Sequence, residues 1–160
     1  MIMILVTHSA LGAALGAMAG EPALGAALGF ASHFVLDAIP HWDYELRSSR
    51  KDEQNPLNDD LIIGRDFWFD LLKIGLDAAL GLGLAFWLAG GLGLAGAFGA
   101  LLPDFLQFAY FKFRRFPPLR ALQKFHLRIH ATRRLTEPIL GSGLQLALII
   151  IVVVWFSLWR

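Results

Sequence analysis

The chain has 160 residues, of which 56% are apolar and 17% are charged. Soluble domains carry about 45–50% apolar and about 25% charged residues, so the composition indicates a membrane protein and excludes a disordered chain. A net charge of only +1 argues against a protein that coats nucleic acid, so no nucleic-acid partner is expected. The absence of cysteine excludes disulfides, iron–sulfur clusters and cysteine nucleophiles. The length fits one membrane domain over residues 1–160.

Five segments are apolar enough to cross a bilayer, which takes about 20 mostly apolar residues in helical form. They cover residues 2–19, 22–39, 66–89, 92–111 and 138–159. Gly20-Glu21-Pro22 separates the first two segments, and Pro22 suits a first helical position. Gly90-Gly91 follows the third segment. The sequence therefore predicts an all-α, polytopic integral membrane protein with about five transmembrane helices.

Two polar stretches separate these segments. Residues 42–65 form a polar loop, and residues 112–137 mix apolar with basic side chains, which predicts an amphipathic helix at the membrane interface. Together they hold twelve of the 14 Lys and Arg. The positive-inside rule therefore places the N-terminus and both stretches in the cytoplasm. The basic side chains expected to attract anionic lipid headgroups are Arg114, Arg115, Lys124 and Arg128.

Glycines recur at helical spacing in three of the predicted spans. Gly12, Gly16 and Gly20 are four residues apart, as are Gly25 and Gly29, while Gly93, Gly96 and Gly99 are three apart. Small residues at such spacing let two helix backbones approach closely. These stripes predict packed helix faces.

The second predicted span ends with polar residues on one helix face. His33, Asp37 and His41 are spaced i, i+4, i+8, so their side chains share a face. Pro40 ends the regular helix, which lets His41 and Asp43 turn inward. A buried Asp without compensation costs several kcal/mol or more, so the pattern favours metal ligands. The alternative is a His–Asp pair that only fastens helices.

Acids also lie inside the third and fourth predicted spans. Asp77 is roughly 16 Å along its helix, near the middle of a bilayer, and Lys73 is its only charged neighbour of opposite sign in the sequence. Pro103 removes a helical hydrogen bond, so we expect the helix to kink or open beside Asp104. Asp43 and Asp77 are the candidates for a catalytic general base, or for a carboxylate that orients a ligating histidine.

All five histidines fall at the predicted cytoplasmic ends of spans or in the basic segment, where His126 and His130 share a helix face. Asp37 and Asp104 fall at the same level, so we expect one pocket of metal ligands. The candidate ligands are His8, His33, Asp37, His41, Asp104, His126 and His130. Mixed imidazole and carboxylate ligands suit zinc, with manganese or iron as alternatives, and there are enough for one or two ions.

Thr7-His8, Ser32-His33-x3-Asp37 followed by Pro40, and Leu101-Leu102-Pro103-Asp104 resemble motifs of the membrane-bound metal-dependent hydrolases of bacteria, often described as LexA-regulated inner-membrane hydrolases. The resemblance implies a metal site in the cytoplasmic membrane. The spacing of His33, Asp37 and His41 is also similar to that in the zinc-dependent phospholipase C family, whose helical members cluster zinc on His and Asp. The matching position for a second family acid is Leu106 here.

The function predicted from these features is metal-dependent hydrolysis of a phosphoester, such as a lipid phosphate, at the cytoplasmic leaflet. A metal ion or proton transporter is the first alternative, because intramembrane His and Asp also suit transport and Asp77 lies near the midplane. A non-catalytic membrane adaptor that uses the basic segment is the second.

Overall fold

The computed structural model describes residues 2–131 and 135–159, and most of them are helical. The helices are α1 (Leu5–Ala19), α2 (Pro22–Asp37), α3 (Arg65–Lys112), α4 (Pro117–Ile129) and α5 (Pro138–Trp159). Four two-residue strands form two antiparallel pairs: β1 (Ile2–Met3) with β2 (Asp43–Tyr44), and β3 (Ser49–Arg50) with β4 (Asp60–Leu61). The predicted helical class is confirmed, with these small pairs added. The bases Arg133, Arg134 and Arg160 lie outside the described residues.

The 48-residue helix α3 consists of two arms joined by a sharp reversal. Within α3, non-helical backbone angles occur at Ala89 and at Gly90, whose φ of 58° is a conformation that glycine adopts without steric cost. A Cβ added to Gly93 would collide with the carbonyl of Ala85, so the arms touch just beyond the reversal. The predicted interruption at Gly90-Gly91 is confirmed, one residue earlier in the chain.

Local signals end α1 and begin α2 as the sequence predicts. Gly20 closes α1 with a φ of 67°. The carboxylate of Glu21 accepts hydrogen bonds from the amides of Ala23 and Leu24, at 2.9 and 2.7 Å, and thereby caps α2. These backbone hydrogen bonds lower the pKa of Glu21, which is fully exposed. Gly20 therefore belongs to the turn and not to a packing stripe.

The other glycine stripes are packing faces, as predicted. Gly12 and Gly29 both face the backbone of Gly96, so that a Cβ on any of the three would collide with main-chain atoms. Gly16 faces Leu92 in the same way. These contacts bring α1 and α2 against the second arm of α3 without intervening side chains.

The lengths of the helices modify the predicted set of spans. Two helices, α3 and α5, are long and apolar enough to cross a membrane. The helices α1 and α2 have only 15 and 16 residues, or about 22–24 Å, and are shorter than the segments predicted from hydropathy. Large apolar side chains on α3 and α5 are exposed, including Trp87 at 72% and Ile139 at 89%. Such surfaces suit contact with lipid.

The expectation that α3 opens at Pro103 is wrong. The backbone stays helical through this proline, and the only non-helical angles that α3 contains are those at the reversal. Pro103 is fully buried. Packing of α1 and α2 on this arm holds the helix closed, although the carbonyl of Gly99 loses its usual partner.

Candidate metal centre

Asp37, the last residue of α2, lies at the centre of three histidines. Its carboxylate is 2.6 Å from Nε2 of His126, 3.2 Å from Nε2 of His33 and 3.4 Å from Nε2 of His8. All four side chains are buried, with at most 4% of each residue exposed. The structure therefore brings together α1, α2 and α4 at one carboxylate, as the sequence predicted for these residues.

The hydrogen bonding of His33 determines what its other ring nitrogen can do. Nδ1 lies 2.8 Å from the carbonyl oxygen of Ala100, and a carbonyl can only accept, so Nδ1 carries the proton. In a neutral ring, Nε2 then carries a lone pair. This lone pair faces the carboxylates of Asp37 and of Asp104, whose Oδ1 is 3.8 Å away. A lone pair facing carboxylates is repulsive unless a cation lies between them. A backbone carbonyl on the distant nitrogen is the usual arrangement around a metal-bound histidine.

His8 adds a further nitrogen donor to this group. Its ring stacks on that of His33, with centroids 4.2 Å apart. Apart from the 3.4 Å approach of Nε2 to Asp37, both of its buried ring nitrogens lack a hydrogen-bond partner among the described residues. Buried polar atoms without partners are rare in folded proteins and often mark a missing ion or water. His8 therefore fits a metal-binding role better than a structural one.

A second group of ligands adjoins the first. His41 lies in the segment after α2, with Nδ1 2.7 Å from the carbonyl oxygen of Ile39 and Nε2 2.9 Å from Oδ1 of Asp43. Its ring centroid is 4.9 Å from that of His130. The predicted inward turn of His41 and Asp43 is confirmed, since both are buried.

Three sets of ligand atoms lie within 4.8 Å of one another and so could each hold an ion. They are His8, His33 and Asp37; then His33, Asp104 and His126; then Asp37, His41 and His130. The first two sets share His33, and the first and third share Asp37. The donor atoms are imidazole nitrogens and carboxylate oxygens, which fit zinc, manganese or iron(II). A shared carboxylate is the arrangement expected of two neighbouring ions.

Hydrogen bonds from outside the cluster set its shape. The amide of Ala131 donates to the carbonyl of Asp37 at 2.8 Å, which fixes the end of α4 beside the end of α2. In α5, Gln145 accepts from the amide of Ile4 at 3.1 Å and donates to the carbonyl of Trp42 at 2.6 Å. Gln145 therefore ties the segments that carry His8 and His41. Its signal in the sequence was an amide within an otherwise apolar helix.

Burial and charge shift the pKa values of His41, which follows α2, and of His130, which follows α4. Burial alone lowers the pKa of His41, but its hydrogen bonds to Asp43 and to the Ile39 carbonyl outweigh this and raise the pKa. Burial lowers the pKa of His130, and the acids Asp37 and Asp43 only partly offset it. The lowered pKa of His130 leaves it neutral near pH 7, the form that binds metals.

Asp77 has a structural role that the sequence analysis missed. Its carboxylate accepts hydrogen bonds from the amides of Leu5 at 2.7 Å and Val6 at 3.2 Å, and so caps the N-terminus of α1 from the first arm of α3. The hydroxyl of Tyr44 is 3.4 Å away. Burial and the charge of Asp77 raise the pKa of Tyr44. The ammonium of Lys73, the predicted partner of Asp77, lies over the ring of Tyr44 at 4.2 Å. Asp77 belongs to none of the three ligand sets.

The predicted headgroup residues divide into two kinds. Arg114 is bound to the loop, since it donates to the carbonyl of Asp59 at 2.8 Å and lies 3.2 Å from the carboxylate of Asp60. Arg115, Lys124 and Arg128 are exposed. The predicted helix of the basic segment is present as α4, and its buried residues are Gln123 and His126. Arg114 holds the polar loop against the end of α3.

A cavity of about 950 Å³ adjoins the ligand cluster. Asp104 and His130 line it together with Gln123, a residue that the sequence analysis did not single out. The other lining residues combine apolar side chains from the two arms of α3 with polar and charged side chains of the loop, among them Ser48, Lys51, Asp52, Glu53 and Asp59. The site is therefore open on one side to a largely apolar space.

The chain was compared with known proteins in three ways, and no family model, curated protein or solved structure matches it.

Proposed function

We propose that the protein is a membrane-embedded, metal-dependent hydrolase that cleaves a phosphoester at the cytoplasmic leaflet. The observation that carries the proposal is the convergence of three buried Nε2 atoms, of His8, His33 and His126, on the single carboxylate of Asp37. The resemblance to the membrane-bound metal-dependent hydrolases, in the motifs around His8, His33 and Asp104, supports the same function.

The residues fit a divalent ion because the buried donors have no adequate protein partner. Among the residues that the structure describes, Nε2 of His8, Nε2 of His33 and Oδ2 of Asp104 are buried without a hydrogen bond. One ion would be held by His8, His33 and Asp37, and a second by Asp37, His41 and His130. A divalent ion bound there supplies Lewis acidity, which stabilises charge on a phosphoryl oxygen and lowers the pKa of water toward about 7.

Two carboxylates take different parts in this proposal. Asp104 faces both His33 and the cavity, so it is positioned to accept a proton from water at the boundary between the ligands and the substrate space. Asp43 contacts His41 and orients its ring. Asp43 is thus a positioning residue in this mechanism. Asp77, as a helix cap, has no step in it.

In the proposed arrangement five helical segments lie within the bilayer, namely α1, α2, the two arms of α3 and α5. They differ in how far they extend across it. Both arms of α3, residues 65–88 and 91–112, and α5 are long enough to cross it. The shorter α1 and α2 pack inside this frame. From Gly90 to Asp104 there are 14 residues, or about 21 Å, so the ligands lie toward one membrane face. The bases of α4 and the polar loop support a cytoplasmic location for that face.

Transport is the weaker alternative. The residue that most favoured transport, Asp77, accepts hydrogen bonds from two backbone amides at the start of α1. It is 13 residues from Gly90, against 14 for Asp104, so it lies at the level of the cluster and not near the midplane as expected. Transporters place their sites near the midplane between repeated halves, whereas this cluster lies toward one end.

Metal analysis of the purified protein is the primary test. Wild-type protein is expected to retain one or two equivalents of zinc, manganese or iron, and the double variant His33→Ala, Asp37→Ala to retain none. The matched control is Asp52→Ala, which removes an acid from the polar loop. Equal metal content in wild type and the double variant would overturn the site.

If metal is bound, a panel of phosphoesters presented in lipid nanodiscs tests catalysis, and metal flux into liposomes tests transport. The proposal predicts release of inorganic phosphate that depends on the metal and is lost in Asp104→Asn. Metal flux without phosphate release would instead establish the transporter.

A further inference from the structure

The part of the cavity wall that the two arms of α3 form has the lining of a binding site for a hydrocarbon chain, while loop residues such as Lys51 and Glu53 form another part of the wall. On the first arm of α3 its wall includes Ile74, Ala78 and Leu82, spaced four residues apart. On the second arm it includes Leu101 and Phe105, with the same spacing. Residues spaced by four share a face, so two apolar stripes line the same space.

The length of this space follows from helical geometry. Ile74 and Leu82 are eight residues apart, which corresponds to about 12 Å along the helix axis. The volume of about 950 Å³ is at the upper end of the range for small-molecule pockets, which is about 300–1,000 Å³. A soluble phosphoester would leave most of this apolar wall in contact with water.

The polar end of the cavity is continuous with the metal ligands. Asp104 and His130 line it, and Asp104 also faces His33. Gln123, which is 3% exposed, lines the same end, and its Oε1 is buried without a hydrogen-bond partner among the described residues. An unpaired buried acceptor is costly, so it indicates a ligand with a hydrogen-bond donor at this position.

Resting on the proposed phosphoesterase function, we propose that this cavity holds the hydrocarbon chain of a phosphorylated lipid. The chain lies between the arms of α3, and the phosphate reaches the ligands around Asp37. Gln123 accepts a hydrogen bond from an O–H group near the phosphate. The substrate class is thus a lipid phosphate with a long chain and not a soluble phosphoester.

Neighbouring alanines on α3 provide a matched test. Ala78 lines the cavity, whereas Ala79 is exposed and does not line it. Ala78→Trp fills the space between the arms, and Ala79→Trp adds the same side chain on the outer face. Metal content measured for both variants shows whether the cluster has formed.

The experiment compares ethyl phosphate with decyl phosphate, by phosphate release and by retention of the intact lipid in native mass spectrometry. Burial of one methylene group is worth up to about a fourfold gain in affinity, so wild type should favour decyl phosphate by at least about 100-fold in kcat/KM. Ala79→Trp should keep this preference. Ala78→Trp, with its metal retained, should lose at least about tenfold of it and retain less decyl phosphate.

The outcomes separate the two proposals. Phosphate release without chain-length preference, or an unchanged preference in Ala78→Trp, would overturn the chain site and leave the hydrolase standing. If no protein releases phosphate, the hydrolase fails, and native mass spectrometry still decides the cavity. Equal retention of decyl phosphate by the two tryptophan variants would then refute the proposed chain-binding site.

Discussion

Two carboxylates in this protein, those of Asp37 and Asp77, have different roles because their partners differ. Asp37 meets three histidine nitrogens, whereas Asp77 meets two backbone amides. Backbone amides at a helix N-terminus are permanent donors that a carboxylate satisfies without a metal. Imidazoles meet a carboxylate well only with an added proton or a metal ion. The nature of the partner, more than burial, therefore separates the metal ligand from the structural cap.

The cap formed by Asp77 leads to a prediction about stability. Asp77→Ala removes both acceptors from the start of α1 and should lower the free energy of unfolding by about 1 kcal/mol, as loss of a cap usually does. Asp77→Asn keeps an acceptor oxygen and should be close to wild type in stability and in phosphate release. Thermal unfolding in detergent and an activity assay measure the two effects. Full stability with lost activity in Asp77→Asn would instead make it a general base.

The ion pairs of Asp60 lead to a prediction about pH. Burial favours a higher pKa for Asp60, but the ammonium of Lys112 at 3.1 Å, the amide of Leu61 and the charge of Arg114 outweigh it and lower the pKa. Because the folded pKa is below the unfolded value of 3.8, Asp60 stabilises the fold above that pH. The contribution is lost as the pH falls through the folded pKa.

Asp60→Asn should therefore be less stable than wild type at pH 7, by less than about 1 kcal/mol because the pair is partly exposed. The difference should shrink as the pH falls below 3.8 and disappear below the lowered pKa of the folded state. Unfolding midpoints measured from pH 7 to pH 2 test this, with Glu53→Gln, an exposed acid of the same loop, as the control. A difference that persists unchanged at pH 2 would contradict the ion-pair explanation.

At the scale of helices, glycines determine how close α1, α2 and α3 come. Gly12 and Gly29 approach Gly96 from two sides, so three backbones meet at one point. That contact sets the heights of His8, His33 and Asp104 relative to one another. His8 and His33 are each one helical turn from Gly12 and Gly29, and Asp104 is about two turns from Gly96. The geometry of the ligands thus depends on positions that carry no side chain.

A pair of substitutions tests this packing. Gly96→Ala places a methyl group against the carbonyl of Gly12 and should destabilise the fold by about 1–3 kcal/mol. Gly83→Ala lies in the same helix with no atom near its new Cβ and should stabilise it by about 0.5–1 kcal/mol. Unfolding in denaturant compares them. Equal effects at the two positions would show that the helices do not cross this closely.

Local sequence patterns predicted the elements of the fold well, but they predicted few of the contacts between distant parts of the chain. The pair of His33 and Asp37 was visible because four residues make one helical turn, and Gly90 was visible as a break. The contact of Asp37 with His126, 89 residues away, could be expected only from their common level. Asp77 capping α1 had no local signal, since its partners are 71 and 72 residues earlier. Pro103 misled because tertiary packing overrides its local effect.

At the scale of the whole molecule, polar and apolar ends are well separated. Gly16, near the end of α1, lies against Leu92, just after the reversal of α3. The turn at Gly20 and the reversal at Gly90 therefore lie at the same end. The ligand cluster and the polar loop lie toward the opposite end, with the exposed bases of α4. This polarity fits a protein whose two ends face different compartments.

The absence of cysteine makes this arrangement easy to test with single introduced cysteines. Gln54→Cys and Lys124→Cys, which replace exposed residues, should react with a membrane-impermeant thiol reagent only in inverted vesicles. Glu21→Cys and Gly91→Cys should react from the outside of intact cells. Unmodified wild-type protein is the control for background. Labelling of all four from one side would refute the proposed orientation.

The hydrogen bonds of Gln145 have a consequence for biosynthesis. This residue, near the end of the chain, holds both the segment before α1 and the segment after α2. Ribosomes deliver the chain from its N-terminus, so both segments emerge long before the side chain that joins them. A nascent protein halted before α5 would have synthesised every candidate ligand yet lack this tie. If the site holds a metal as proposed, stable metal binding is therefore expected only after α5 has been synthesised and packed.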